Sequence, residues 1–430
     1  MRNHFLTVAV IVMTSVGVRG EVWTYTDCVD YAKSHNISLQ KTGLAEQTAA
    51  YDLEAAEAQW EPTLDFATSQ GFSNYPFGEG TKNSYSSSYG LNGGWTAWNG
   101  GVRENTIKRN RLQTEIAKVA TRNALRSLET DLLQVYINML YAREAMEIYE
   151  EAGRLSKAQA DRTQALMEAG RASKVDLAQL RSQYEQDSYA LVDARGLYDT
   201  RRLELKKLLE LGLSAEIEVA DVEWTAEQVM AALPPLEESY ALALQNDLQI
   251  EGLNLEKEGT AIDIEIAKAG KMPTVSVNAG IGMGYNTPGP YFKGLKRSFG
   301  ESVGLTLSIP ILDNKKTKTA VAKARIDRLN AELDIDQRRT DLSQLVETWY
   351  IDTRSAQARF IAAQQKVEAA LATCELTDEQ FKLGLVNPVE LMTAHNSLIE
   401  ARYSLLQSKY MAMLGQRMIH YYRTTEASLQ

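Results

Sequence analysis

The sequence predicts a mainly helical chain that is duplicated internally and carries two pairs of strands between very long helices. Pro62 and Pro273 stand 211 residues apart, and each closes a helical stretch and opens an alternating, strand-like one. Further along the chain the offset becomes 214, so that Gly170 matches Gly384. A repeat of this length indicates a duplicated domain, because the units of solenoid arrays are far shorter.

The duplication divides the chain into two structural repeats, which we expect over 21–235 and 236–430. Each repeat holds a helix, two strands and a long helical hairpin. Residues 1–20 are set apart from both, since Arg2 precedes an apolar stretch from Phe5 to Val12 and small residues follow. This pattern predicts a signal peptide cut before Glu21, with an uncleaved anchor as the alternative.

Composition limits the classes of function. The 430 residues have an ordinary share of hydrophobic residues, 44%, and of charged residues, 24%, with a formal net charge of −10. An acidic chain with scattered positive charge argues against nucleic-acid binding. Two cysteines form no disulfide framework, and Cys28 has no lipobox before it.

Long helices fill most of the chain. No proline occurs between Pro76 and Pro234, and a helix over most of Val102–Met167 would run roughly 100 Å at 1.5 Å per residue. Its apolar positions alternate at spacings of three and four, the 3.5-residue period of a left-handed coiled coil. They are Leu125, Leu128, Leu132, Val135, Met139, Ala142, Met146 and Tyr149. The returning helix shows a similar seam that is interrupted at Asp187.

Four segments of roughly 10 residues alternate with a period of two, which is the length a tilted strand needs to cross a bilayer. They are Thr63–Phe72, Tyr85–Trp95, Thr274–Met283 and Glu301–Ile309. Turn-rich loops over 74–84 and 286–298 join the paired strands, and aromatic residues cluster near the strand ends. Two surface hairpins of a soluble protein are the alternative. Four strands cannot close a barrel, so membrane strands would require several chains to pool them.

Residues for chemistry are sparse. His35, His395 and His420 are far apart in sequence, and no zinc-binding or nucleophile motif surrounds them. The glycine-rich run Gly280–Gly284 lacks the Lys-Ser/Thr of a phosphate-binding loop and falls in a strand. We therefore expect no enzyme activity, no cofactor and no metal.

The order of the helices, strands and turns along nearly the whole mature chain resembles that of the TolC-like outer-membrane efflux proteins, also called outer membrane factors. The helix–strand junctions at Pro62, Pro273 and Pro310 carry the resemblance, together with Trp98-Asn99-Gly100-Gly101. The two lower turns around Gly170 and Gly384 resemble the family's periplasmic tips. Thr96 stands where the family usually has proline, so that junction is expected to be less kinked.

The resemblance implies a fold and a set of partners. Three chains would share a 12-stranded β-barrel in the outer membrane above a 12-helix α-barrel tunnel in the periplasm. Such a homotrimer is a passive channel for efflux or type I secretion, surrounded by outer-membrane lipid. It engages a periplasmic adaptor and an inner-membrane transporter. Residues 211–235, with a β-like run at 216–224, would lie in the equatorial belt.

The tips supply the candidate site residues. The resemblance implies adaptor contact at Gly170, Arg171, Gly384 and Leu385. Asp176 and Glu390 follow the two turns at helix N-caps, where acids offset backbone donors and the helix dipole.

Two roles remain open for these acids: capping alone, or capping plus an acidic ring at the tunnel entrance. The family's closing arginine and tyrosine are replaced by Val386 and Phe381, and a second expected acid is Thr393. The resemblance therefore does not carry the closing network over to this chain.

Two other classes of function remain as alternatives. The first is a periplasmic coiled-coil structural or tethering protein without channel activity. The second is a periplasmic adaptor, which would show one helical hairpin between half-lipoyl segments and no duplication of the whole chain. The helical layout also predicts that Cys28 and Cys374 are too far apart to form a disulfide, which needs Cα atoms within about 7 Å.

Overall fold

The computed structural model describes residues 22–77, 83–286 and 291–424. The predicted signal peptide lies outside these residues. In chain order the helices are α1 (Tyr25–His35), α2 (Ile37–Glu57), α3 (Val102–Glu168), α4 (Lys174–Leu208), α5 (Ala226–Val229), α6 (Leu236–Asn246), α7 (Leu248–Ala269), α8 (Tyr291–Arg297), α9 (Lys316–Lys382) and α10 (Pro388–Thr424). The strands are β1 (Val22–Trp23), β2 (Thr63–Asn74), β3 (Asn83–Trp98), β4 (Glu218–Val219), β5 (Thr274–Asn286) and β6 (Gly300–Ser308).

The chain forms two compact units, and each takes segments from both halves of the sequence. Among the described residues, one unit takes its members from 22–40, 124–247 and 341–424, and the other from 41–123 and 248–340. These units follow packing and differ from the two sequence repeats. The division into repeats at 235/236 stays a prediction.

The predicted long helices are confirmed. Helices α3 and α9 have 67 residues each, and the helices that return from them, α4 and α10, have 35 and 37. Uninterrupted runs without proline allow this length, since proline removes a helix hydrogen bond and clashes with the preceding turn. No helix in the described ranges has a stretch apolar and long enough to cross a membrane.

The unit made of 41–123 and 248–340 holds an antiparallel sheet in the order β2-β3-β5-β6. All four predicted strands are therefore confirmed, most of them longer than expected. The register pairs Phe66 with Leu91, Leu91 with Ile281, and Val277 with Leu305. Because paired residues lie on one face, the apolar side chains of all four strands share that face.

The opposite face of the sheet is small and polar. Ser, Asn and Gly residues alternate with the apolar ones along β3 and β5, and Gly90 is paired with Gly282. The apolar face is not covered in the chain: Leu305 is 73% exposed and Val303 is 83% exposed. A continuous exposed apolar face indicates a surface that meets lipid or a partner.

The loop predicted over 286–298 is wrong in part, because α8 occupies Tyr291–Arg297. This segment contains no proline, and the Ser298 backbone N–H donates to Gly294 O at its end. The ring of Tyr291 packs against Tyr285 with centroids 5.0 Å apart, which fixes the helix on the end of the sheet. Both aromatic residues are evident in the sequence, but their contact with each other is not.

The main core of the other unit surrounds α3. The predicted seam positions Leu128, Leu132, Met139 and Ala142 are buried. The buried face is wider than a coiled-coil seam, since the neighbouring positions Leu133, Tyr136, Ile137 and Leu140 are buried too. On α9 the buried residues keep the narrow 3.5-residue stripe, namely Leu342, Val346, Thr353, Ala356, Phe360 and Ala363.

A small strand pair explains the wider face of α3. Strands β1 and β4 pair in parallel, and the Tyr136 hydroxyl donates to the carbonyls of Trp23 at 3.1 Å and Ala220 at 3.2 Å. The β-like run predicted at 216–224 thus contains only two strand residues.

Cys28 is buried in this core and Cys374 is buried elsewhere in the same unit, and both thiols are free as predicted.

We predict that Gly415→Ala destabilises the helix pair α9–α10. A Cβ at Gly415 would collide with the hydroxyl of Thr353 and lie 3.0 Å from its Cβ. Threonine is β-branched and stiff, so we expect a loss of about 1–3 kcal/mol in the free energy of unfolding. Chemical denaturation measures this loss. Gly153→Ala in α3 is the control, because its Cβ would have open space. Equal stability of the two variants would contradict the close approach.

Candidate functional site

The first lower turn joins α3 to α4 through a glycine in the left-handed region. Gly170 has φ +72°, its N–H donates to Met167 O at 2.9 Å, and the N–H of Arg171 donates to Leu166 O at 2.8 Å. These two bonds form a Schellman motif, which ends a helix with its carbonyls satisfied. Arg171 is exposed beside the turn.

The second lower turn repeats this geometry 214 residues on. Gly384 has φ +73°, its N–H donates to Phe381 O at 3.0 Å, and the N–H of Leu385 donates to Gln380 O at 2.9 Å. Leu383 and Leu385 are both more than 70% exposed. The second turn therefore presents two large apolar side chains to the surroundings.

Both predicted acids cap the helix that follows the turn. In the first turn of α4, Asp176 N donates to Ser173 Oγ at 3.0 Å, and Asp176 Oδ2 accepts from Ser173 N at 3.0 Å. In the first turn of α10, Glu390 N donates to Asn387 Oδ1 at 3.0 Å, and Asn387 Nδ2 donates to Glu390 Oε1 at 2.7 Å. The structure thus pairs each acid with its own N-cap residue rather than with the other acid.

The proline positions lie at the junctions that the sequence predicted. Pro62 directly precedes β2, Pro273 directly precedes β5, and Pro310 follows the end of β6. The side chain of Arg103 connects the end of β3 to the segment that precedes β2. It is buried, donates to the carbonyl of Thr96 and lies over the Trp60 ring at 4.2 Å. The chain has arginine contacts here where the family pattern has proline at position 96.

A buried polar cluster between α4 and α10 was missed by the sequence reasoning. It consists of Gln183, Asp187, His395 and Asn396, and we call it the Asp187 cluster. Gln183 Nε2 donates to Asp187 Oδ1 at 2.8 Å and to Asn396 Oδ1 at 2.9 Å, and Asn396 Nδ2 donates to Gln183 Oε1 at 3.3 Å. His395 Nε2 lies 3.6 Å from Asp187 Oδ2. The break in the seam at Asp187 was the available signal.

The charges of this cluster are strongly buried. The side chains of His395 and Asp187 are 3% and 6% exposed. Burial by itself lowers the pKa of His395, but the Asp187 carboxylate and the Cys374 sulfur outweigh it and raise the pKa to about 9. These neighbours therefore favour the protonated form of the imidazole. Within the described ranges, no group of three or more His, Cys, Asp and Glu residues is placed to hold a metal ion.

Comparisons with known proteins give a consistent set of relatives. A model described as outer membrane efflux protein matches residues 28–211 and 239–413. The alkaline protease secretion protein AprF of Pseudomonas aeruginosa is 23% identical over 307 residues, which covers 70% of this chain and 62% of AprF. The match thus spans less than two thirds of AprF. The outer membrane protein TolC of Vibrio cholerae is 23% identical over 357 residues, which covers 71% of this chain and 80% of TolC.

Among solved structures, that of CusC, which forms a transmembrane channel, is similar with a TM-score of 0.78. The match has 18% sequence identity and covers 94% of each chain. At this identity the likeness shows a shared fold. The long helices and the four-stranded sheet described above are therefore the fold of such channels.

We predict that Gly384→Ala destabilises the second turn while Gly384→Asn is tolerated better. Alanine in the left-handed region costs roughly 1–2 kcal/mol, whereas asparagine visits this region readily. Chemical denaturation measures the free energy of unfolding of both variants. Both lose the flexibility of glycine at the same position, so their difference reports on the left-handed conformation. Equal unfolding free energies would mean that the turn does not depend on the left-handed conformation.

Proposed function

Because the chain belongs to the outer membrane efflux protein family, we propose that three copies assemble into one passive export channel. Each copy would contribute β2, β3, β5 and β6 to a 12-stranded barrel. Each would also contribute α3, α4, α9 and α10 to a 12-helix tunnel below it. The channel would conduct cargo from a periplasmic adaptor and an inner-membrane transporter to the exterior.

The family assignment confirms the resemblance drawn from the sequence. The chain is an outer-membrane protein of the channel-tunnel class that serves efflux and secretion. This favours the channel over a periplasmic coiled-coil rod and over a periplasmic adaptor. Members of the family are transport channels, and we propose accordingly that this chain has no catalytic activity and needs no cofactor.

The single observation that supports assembly of several copies is that the four-stranded sheet is open at both edges. Its outer strands β2 and β6 each have a neighbour on one side only within the described sheet. In lipid every backbone donor and acceptor needs a partner, and an open edge is not tolerated. Strands from other copies supply those partners, and closure of the ring places the common apolar face toward lipid. The small polar face then lines the lumen.

The lower turns support contact with partner proteins. Leu383 and Leu385 are exposed at the second turn, and Arg171 is exposed at the first. Exposed apolar side chains at the end of a helical hairpin indicate an interaction site. We propose that Gly170, Arg171, Gly384 and Leu385 meet the adaptor, because the glycines let the chain turn without side-chain bulk.

Membrane fractionation with crosslinking tests the assembly. A heat-resistant trimer in outer-membrane extracts supports the proposed channel. A soluble dimer in the periplasmic fraction would instead support the coiled-coil rod. Crosslinking at Leu385 followed by mass spectrometry would identify the adaptor.

We predict that Leu305→Arg prevents assembly in the outer membrane. Leu305 lies on the apolar face of β6, and a charge facing lipid near the bilayer midplane costs about 2–4 kcal/mol. Thr306→Arg is the matched control, since the adjacent residue faces the polar side of the same strand. The yield of heat-resistant trimer in the outer membrane measures both. Equal yields would mean that the apolar face does not meet lipid.

We predict that Asp176→Asn combined with Glu390→Gln weakens cation selectivity. Three copies would bring six carboxylates to the tunnel entrance. Two opposite unit charges about 4 Å apart attract each other by about 1 kcal/mol even in water. We expect half block by a trivalent cation to need at least about fivefold more ion, most clearly at low salt. Single-channel recordings in planar bilayers measure this.

The two substitutions keep most of the capping geometry, so the effect of charge is separated from that of stability. Glu185→Gln is the control, because Glu185 is an exposed acid on α4 away from its first turn. Unchanged selectivity and unchanged block in the double variant would leave Asp176 and Glu390 as caps alone.

A further inference from the structure

The Asp187 cluster connects two helices that begin at the proposed entrance. Helix α4 carries Asp176 in its first turn and α10 carries Glu390 in its first turn. His395 follows Glu390 by five residues and Asp187 follows Asp176 by eleven, so the cluster lies about one to three turns from those acids. Any widening of the entrance that separates α4 from α10 must break the cluster.

The cluster joins the helices by two different pairs. Gln183 and Asn396 exchange amide hydrogen bonds of 2.9 and 3.3 Å, and neither side chain titrates. Asp187 Oδ2 and His395 Nε2 lie 3.6 Å apart, which makes an ion pair when the imidazole is protonated, and both side chains are more than nine-tenths buried. Separating a buried pair of opposite charges leaves each charge without compensation, so this pair holds the helices together only while both charges are present.

A cavity of about 190 Å³ adjoins the histidine. The cavity lies among α3, α9 and α10, and His395 lines it. The other titratable or charged groups that line it are Glu151, Cys374, Glu375, Asp378 and Arg402. Glu151 pairs with Arg402 at 2.7 Å, and Asp378 pairs with Lys382 at 2.7 Å.

The charged groups around the cavity leave the His395 imidazole as the titratable group that bears on the contact between α4 and α10. On α4 the charge that faces His395 is Asp187. Two of the carboxylates on the cavity wall are already in ion pairs. The imidazole is the group whose loss of charge removes a bond between α4 and α10.

We propose that the Asp187 cluster is a proton-dependent latch that ties α4 to α10 and favours the closed entrance at neutral and acidic pH. This inference rests on the proposed channel function and names its regulation. The latch is complete when His395 is a cation, and deprotonation leaves the amide pair as the remaining polar contact of the cluster between the helices.

The direction of the pH dependence follows from the histidine. Its pKa is about 9 in the folded chain against an ordinary value of 6.5. A group with a raised pKa stabilises the latched state fully below pH 6.5 and loses that contribution as pH rises through 9. The ratio of open to closed channels should rise with pH in this window, by at most about tenfold for each pH unit.

The experiment is a series of planar-bilayer recordings of the full chain between pH 6.5 and 9.5, with thermal unfolding measured over the same range. For the natural chain we expect the open fraction to rise and the Tm to fall as pH increases. His395→Gln keeps an amide donor without a charge, so we expect a high open fraction and a flat Tm profile across the window. Asp187→Asn should flatten both profiles as well.

Two variants serve as controls. Arg402→Gln breaks an ion pair on the wall of the same cavity, and it should keep the pH response of the natural chain. Asn396→Ala removes the amide pair, so it should raise the open fraction at every pH while keeping the slope.

The outcomes separate the latch from the channel. Absence of conductance from all variants would overturn the proposed function, while the Tm profiles would still test the ion pair. A pH response of the natural chain that survives in His395→Gln would overturn the latch. A Tm profile that flattens in His395→Gln without any change in the open fraction would also overturn it, since the pair would then stabilise the fold without gating.

Discussion

The requirement that every backbone polar group in lipid has a partner is the constraint on which the rest of this molecule depends. The sheet β2-β3-β5-β6 satisfies the groups between its strands but leaves its two outer strands with a neighbour on one side only within the described sheet. Its register then brings Leu91, Ile281 and the other apolar residues to one face. Edges and face together support the proposal that several copies assemble into one channel. They also explain why its strands need small polar residues on the side that would face the lumen.

The long helices answer a different physical demand, which is to bury a narrow stripe over a great length. On α9 the buried residues keep the coiled-coil period, and small residues such as Thr353 and Ala356 let the neighbouring helix approach. Gly415 of α10 meets Thr353 at such a point. On α3 the stripe widens around Tyr136, because β1 and β4 add a second layer there. Local additions therefore modify a repeating seam without breaking it.

How much of this could be read from the sequence depended on the range of the interactions. Periodicity gave the strands and the long helices, because alternation and the 3.5-residue spacing are local properties. The caps at Asp176 and Glu390 were also predictable, since a cap and its turn lie within a few residues. Helix α8 was missed because Tyr291 is held by Tyr285 across the end of the sheet. The Asp187 cluster was missed for the same reason, as Asp187 and His395 stand 208 residues apart.

In the lower helical region the contact at the second turn is apolar, and the polar contacts lie further along the helices. At the second turn Phe381 packs against the small apolar cluster of Ala160, Leu180 and Leu391, where the resemblance would place a polar closing network. The polar contacts lie further along α4 and α10, in the Asp187 cluster. The stabilisation from an apolar contact does not depend on pH, whereas the stabilisation from a buried pair of charges depends on the protonation of both groups. Burial also protects the charged contact from salt, because buried pairs are screened far less than surface pairs. In the proposed channel, the acids at the turns would therefore respond to ionic strength and the buried histidine to protons.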